Sequence, residues 1–136
     1  MRIMALDVGD KKIGVAMSDP LKITSQGLET YFRKNDKEDY KYFANLIKNN
    51  DVEILVAGLP KNMNGTEGPQ AEKVKEFIKE LQTYTDVKVD FSDERLTTVE
   101  AERMLISGDV SRKNRKKVID KVAANLILQN YLQRHY

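Results

Sequence analysis

Asp7 closes an apolar run in the stretch LDVGDKKIGVAMSD, residues 6–19, where Ile3, Ala5 and Leu6 come before it. A carboxylate at the end of a buried strand is costly unless something neutralises it. Asp93 and Glu94 come just past the alternating segment VKVDF, and Asp120 shares a helical face with Ala124, Ile127 and Leu128. There is no cysteine, and the only histidine, His135, is next to last and reads as a frayed terminal residue. Carboxylates without sulfur or imidazole partners describe a site for a hard cation, magnesium or manganese, which prefers oxygen ligands. Two such ions about 4 Å apart activate a water and stabilise the leaving oxygen of an in-line phosphodiester displacement. On this reading Asp7, Asp93, Glu94 and Asp120 are the candidate metal ligands. Each acid also has a plainer reading, as a helix cap, a loop carboxylate or an ion-pair partner. Lys116, Lys117 and Lys121 stand ready to pair with Asp120.

The formal charge of +2 is unevenly spread. Residues 111–121, SRKNRKKVIDK, carry +5, so the remainder carries −3. Arg112, Lys113, Arg115, Lys116 and Lys117 form a compact cationic segment suited to backbone phosphates, or else a solvated helix start. A second candidate anion site is the loop GLPKNMNGTEGPQA, residues 58–71, between a buried run and a helical pattern. There Gly65 and Gly68 permit close approach of a phosphate, and Lys61 and Asn62 add contacts. No G-K-[ST] follows, so the loop is not a Walker A motif, and an ordinary strand-to-helix turn explains it equally well. Arg95 touches a phosphate or ties down a neighbouring acid.

The elements that must position these residues follow from periodicity. Residues 2–8 and 12–18 read as strands and residues 21–32 as a third, with turns short enough for an antiparallel meander. Residues 36–50 form an amphipathic helix, VEILVAGL a buried parallel strand, and GPQAEKVKEFIKELQTY a helix with Pro69 in its first turn. VKVDF is a further strand, with Val87, Val89 and Phe91 on one face. Thr97 and Glu100 fit a capping box that opens a helix to about Ile106, and the last helix runs from roughly Asn114 to Gln133. The expectation is one α/β domain over residues 1–136 with a mixed sheet. Ligands of such sheets gather beyond the carboxyl ends of parallel strands, where Asp7, Asp93 and Glu94 are delivered. No apolar run is long enough to span a bilayer and the N-terminus has no signal-peptide pattern, so a cytoplasmic protein is expected.

LDVGDKKIGVAMSD, VAGLPKNMNGTEGPQA, DERLTTVEAERML and RKKVIDKVAANLILQNYL together resemble the YqgF (RuvX) family in order and spacing over nearly the whole chain. The resemblance implies a ribonuclease H-like fold, similar to the RuvC resolvases. It also implies a nuclease that processes the 5′ end of pre-16S ribosomal RNA, with Holliday-junction resolution as an alternative proposal. The family's acids fall on Asp7, Glu94 and Asp120, which the resemblance makes the catalytic residues, with Asp93 beside them. Asp10 departs from the basic or small residue usual in that turn. The implied cofactor is Mg2+ or Mn2+. The implied partner is nucleic acid, structured RNA in preference to branched DNA, on ribosomal precursor particles and away from membranes. The basic segment, Lys61, Asn62, Gly65 and Arg95 would hold its backbone. The protein would act as a monomer or a homodimer. The remaining alternative is a non-catalytic module that docks on nucleic acid through its basic helix.

Overall fold

The computed structural model describes residues 1–60, 64, 66–94, 97–108 and 111–136, and at 94, 97–100, 102, 112, 113 and 115–117 it describes the backbone alone. Strands β1 (Arg2–Val8), β2 (Lys12–Ser18) and β3 (Ser25–Phe32) are followed by helix α1 (Asp36–Asn49) and strand β4 (Val52–Pro60). Helix α2 (Pro69–Leu81), strand β5 (Lys88–Glu94) and helices α3 (Thr97–Ser107) and α4 (Arg112–His135) complete the chain. The five strands lie in the order β3-β2-β1-β4-β5. β1 and β3 are antiparallel to β2, while β4 and β5 run parallel to β1. This is the expected mixed sheet of a meander and two parallel strands.

Strand alternation divides the apolar residues between two cores. Met4, Leu6, Ile13, Val15, Leu55 and Ala57 meet the buried faces of α1 and α2. Ile3, Ala5, Ala16 and Val56 meet Ala124, Ile127, Leu128 and Tyr131 of α4 on the other side. The α4 core is lined by small residues, so this helix lies close to the sheet. A Cβ added to Gly14 would stand 1.9 Å from the carbonyl oxygen of Asp120, and one on Gly27 would stand 2.5 Å from the Lys121 side chain. The helix backbone occupies the space that a side chain at position 14 would need.

Among the boundaries that differ from expectation, three have a clear physical cause. β3 begins at Ser25 rather than residue 21, because the Asp19 carboxylate accepts from the backbone N–H groups of Leu21, Ile23 and Thr24 and folds residues 19–24 into a loop. β5 extends to Glu94 because it pairs with β4 through Pro60. α4 starts at Arg112, since Ser111 caps it by accepting from the Asn114 N–H at 3.3 Å. The helix expected from Thr97 is present, but its capping-box side chains lie outside the described residues.

The sheet's turn-side rim is held by a buried polar network. Asp39, 1% exposed, accepts from Tyr31 Oη at 2.7 Å, Arg33 Nε at 3.0 Å and the Lys34 N–H at 3.0 Å. Burial and this hydrogen bond raise the Tyr31 hydroxyl's pKa. Arg33 also donates to the Gly9 carbonyl and lies over the Phe77 ring. The β1–β2 turn is further clasped by α2, where Gln70 donates to the Val8 carbonyl and Lys73 pairs with Asp10 at 3.2 Å. The unusual acid in this turn therefore has a structural partner.

Gly14→Ala tests how closely α4 is seated. The added methyl meets backbone rather than a side chain that can swing away, so a destabilisation of about 3 kcal/mol is expected. Thermal melting would show it as a drop of several degrees or more; an unchanged midpoint would contradict this packing.

Candidate active site

Asp7 is the last residue of β1 on the α4 face, in phase with Ile3 and Ala5. It is half-buried at the carboxyl end of the central strand, and its cross-strand neighbour is Gly14. Asp120 rests its backbone on that same glycine. Two carboxylates separated by 113 positions in sequence are therefore brought to one end of the sheet by a single helix–strand contact. Asp120 is half-buried, and burial pushes its carboxyl pKa above the usual carboxylate value, partly opposed by the nearby Lys12 ammonium.

β5 supplies the third segment. Asp90 and Ser92 are on the α4 face, where Tyr131 Oη donates to Asp90 Oδ2 at 3.0 Å and the Arg134 guanidinium to Ser92 Oγ at 3.4 Å. Burial and the Asp90 contact push the Tyr131 hydroxyl up to about 12. Position 94 continues the phase of Asp90 and Ser92. Asp93 alternates with Val89, which packs against the α1/α2 core, so it is exposed on the other face. The adjacent pair DE is thus split between the two sides of the sheet, and of the two only position 94 shares the face of Asp7.

The remaining sequence candidates fall in two groups. Lys61, Asn62, Gly65 and Arg95 lie outside the described residues, as does the Glu94 side chain. Arg112, Lys113, Arg115, Lys116 and Lys117 occupy the first two turns of α4, where no acid stands in the first turn. Cations at a helix N-terminus add to the positive end of its dipole, an arrangement that favours an external anion. α4 crosses the sheet obliquely, with Asp120 and Lys121 over β2 and β3 and Tyr131 and Arg134 reaching β5. Its first eight residues, about 12 Å of helix, therefore continue past the β2–β3 side. His135 lies against Tyr131, the rings tilted by 31° with centroids 4.2 Å apart, at the far end of the helix.

Sequence reading missed Lys12 and Gly14. Among the described residues Lys12 is the cation that acts on Asp120, and Gly14 provides the cradle for its backbone. The only signal for either was a glycine inside the β-branched and small-residue run KIGVA.

The fit of this site to a metal ion rests on its donor chemistry. Among the described residues no three His, Asp or Glu side chains gather closely enough to hold one. Of the candidate ligands on this face, the side chains of Asp7 and Asp120 are described, and that of Glu94 lies outside the described residues. The candidate set is entirely oxygen, and partial burial of Asp120 disfavours its ionised form. A divalent cation relieves that penalty, so the residues present suit a hard ion. Among the described residues no helix is long and apolar enough to cross a membrane.

Comparison with known proteins adds three findings. The family model described as "RuvX: Holliday junction resolvase" matches residues 1–134. A protein of Carboxydothermus hydrogenoformans named "Putative pre-16S rRNA nuclease" is 56% identical over 132 residues, which cover 97% of this chain and 96% of that protein. A Streptococcus equi protein of the same name is 55% identical over the full length of both chains. Among solved structures, the Fowlpox virus resolvase in complex with Holliday junction DNA superposes with a TM-score of 0.60 at 16% identity, covering 98% of both chains. T. thermophilus RuvC, also in complex with a Holliday junction, gives a TM-score of 0.60 at 13% identity, covering 99% of this chain and 96% of its own. At such identities these two establish the fold, which is the ribonuclease H-like one.

The raised pKa of Asp120 has a testable consequence. Below its ordinary value of 3.8 the carboxyl is protonated in both folded and unfolded chains, and no penalty exists. Above the folded-state pKa the buried charge destabilises the fold in full. Asp120→Asn is therefore expected to raise the melting temperature in metal-free buffer at neutral pH, and to change it little near about pH 3. A lower melting temperature at neutral pH would refute this.

Proposed function

The chain belongs to the RuvX family, and we propose that it is a divalent-cation-dependent endonuclease acting on structured RNA, with the 5′ end of pre-16S rRNA as its substrate in ribosome biogenesis. The supporting observation is the seat of Asp120 on Gly14, the cross-strand neighbour of Asp7, at the carboxyl end of the central strand. That is where ligands of open α/β sheets gather. The name shared by relatives more than half identical to this chain supplies the substrate.

In this proposal Asp7, Glu94 and Asp120 hold the ion, and Asp93, on the opposite face of β5, takes no part. When bound there, magnesium or manganese would supply an activated water and charge stabilisation for the departing 3′-oxygen. Asp7 orients the ion from a rigid strand, and Asp120 does so from a helix that packs on that strand and its neighbour. Lys12 balances part of the carboxylate charge before the ion arrives. Arg112, Lys113, Arg115, Lys116 and Lys117 of α4 grip the phosphate backbone, and Lys61, Asn62, Gly65 and Arg95 add further contacts to it. Phosphate contacts position a substrate without reading its bases, so selectivity comes from RNA shape. Residues 1–136 work as one nuclease domain, in the cytoplasm, on ribosomal precursor particles.

Asp7→Asn removes one ligand while keeping size and hydrogen bonding. Cleavage of a pre-16S RNA fragment should fall by about two to three orders of magnitude, as when an active site loses one electrostatic stabiliser, with an unaltered far-ultraviolet circular dichroism spectrum. Chelation of divalent ions should abolish wild-type cleavage. Full activity of Asp7→Asn would refute the metal mechanism. Faster initial cleavage of a four-way DNA junction than of the RNA would transfer the same chemistry to branched DNA.

A further inference from the structure

Phe32 ends the edge strand β3, and 62% of it is exposed. Its neighbour Tyr31 packs into the aromatic cluster beside α1, so alternation puts Phe32 on the α4 face, in phase with Thr30. Lys12 is its cross-strand partner, and the Lys12 ammonium lies 5.6 Å from the ring centroid. The same lysine acts on Asp120. One row inward, Thr30 pairs with Gly14 and Gly14 with Asp7. Phe32 is thus two strands across and two residues along from Asp7, about 12 Å between Cα atoms at standard sheet spacings.

A single exposed phenylalanine is ordinary; the surroundings of this one are not. It lines a groove of about 590 Å³ together with Lys11, Arg33, Lys34 and Asn35. Each acid of that groove has a basic contact: Asp36 and Asp39 share Arg33, and Asp10 meets Lys73. Lys11 and Lys34 have no ion pair among the described residues, and Lys12, which offsets part of the Asp120 charge, lies against the ring, so three lysines flank it. The cationic start of α4 continues past the same side of the sheet. An exposed aromatic ring flanked by lysines is the arrangement by which proteins hold single-stranded nucleic acid, stacking a base on the ring and neutralising the flanking phosphates.

We propose that Phe32 is a stacking platform for an unpaired base close to the scissile bond, with Lys11, Lys12 and Lys34 holding the phosphates on either side. This rests on the nucleic-acid reading above and narrows its substrate to RNA that is single-stranded next to the cut. A duplex keeps its base faces covered and gains nothing from the ring.

The test measures binding without divalent ions, so that nothing is cleaved. The probe is a single-stranded oligoribonucleotide carrying 2-aminopurine, whose fluorescence is quenched on stacking, and the control is a blunt RNA duplex of equal length. Stacking on an aromatic side chain is worth about 1–3 kcal/mol per base by alanine substitution. Phe32→Ala and Phe32→Leu should therefore weaken single-strand binding by roughly five- to a hundredfold and remove the quenching. Phe32→Trp should retain both, and all variants should bind the duplex equally. Wild-type single-strand affinity in Phe32→Ala would overturn the proposal, as would equal losses on single strand and duplex, or no single-strand binding by the wild type. None of these results touches the Asp7→Asn experiment. Conversely, an active Asp7→Asn would sink the metal mechanism while leaving a Phe32-dependent binding difference in place.

Discussion

The proposed site depends on one close contact, the backbone of α4 lying on Gly14. β1 and α4 are joined by more than a hundred residues of chain, yet Asp7 and Asp120 share a rim because β2 offers no side chain at that point. Two small positions, Gly14 and Gly27, let the helix come down onto β2 and β3, and Ala123 and Ala124 reduce the helix surface it presents. Behind this contact the packing is ordinary aliphatic burial, with Ile127, Leu128 and Tyr131 against Ile3, Ala5 and Val56. The chemistry sits where that apolar layer ends, so the carboxylates are half-dry without being sealed off. A hard cation needs such a setting: some oxygens fixed by protein, and others left for water and phosphate.

The order and type of the elements were legible because each carries its period clearly. Strands β1, β2 and β4 are dense in apolar and β-branched residues, and α1 and α2 repeat theirs at helical spacing. The inward face of α4 was legible for the same reason, from Ala124, Ile127 and Leu128 relative to Asp120. The faces of the sheet on which positions 93 and 94 fall were not. The end of β5 reads FSDE, which has no apolar alternation to follow, and only its pairing with Gly58, Leu59 and Pro60 of β4 extends the strand and sets its phase. Lys12 was hidden similarly, since its proximity to Asp120 arises from a crossing of helix and strand that local sequence does not encode.

Asp39 shows how far the reasoning from a carboxylate in apolar surroundings can be taken. It is more deeply buried than Asp7, yet Tyr31, Arg33 and the Lys34 N–H satisfy it completely. Burial alone therefore does not mark a metal ligand; the partners that surround the carboxylate decide. Arg33 links the two situations, since it neutralises Asp39 and also holds the Gly9 carbonyl in the turn that follows Asp7. A structural ion pair on one face of the sheet thereby steadies the loop beside the proposed reactive group on the other.

The place of β1 in the strand order has a further bearing on how the molecule ages and fails. It is the middle strand of five, paired on both sides, and its apolar residues are almost wholly withdrawn from solvent. Backbone amides in such a strand exchange with solvent only through openings close in free energy to complete unfolding. Fraying of the edge strands or of the rim loops leaves Asp7 where it is. Its carboxylate is displaced only when the whole sheet comes apart, so the centre of the site belongs to the slowest-opening part of the protein.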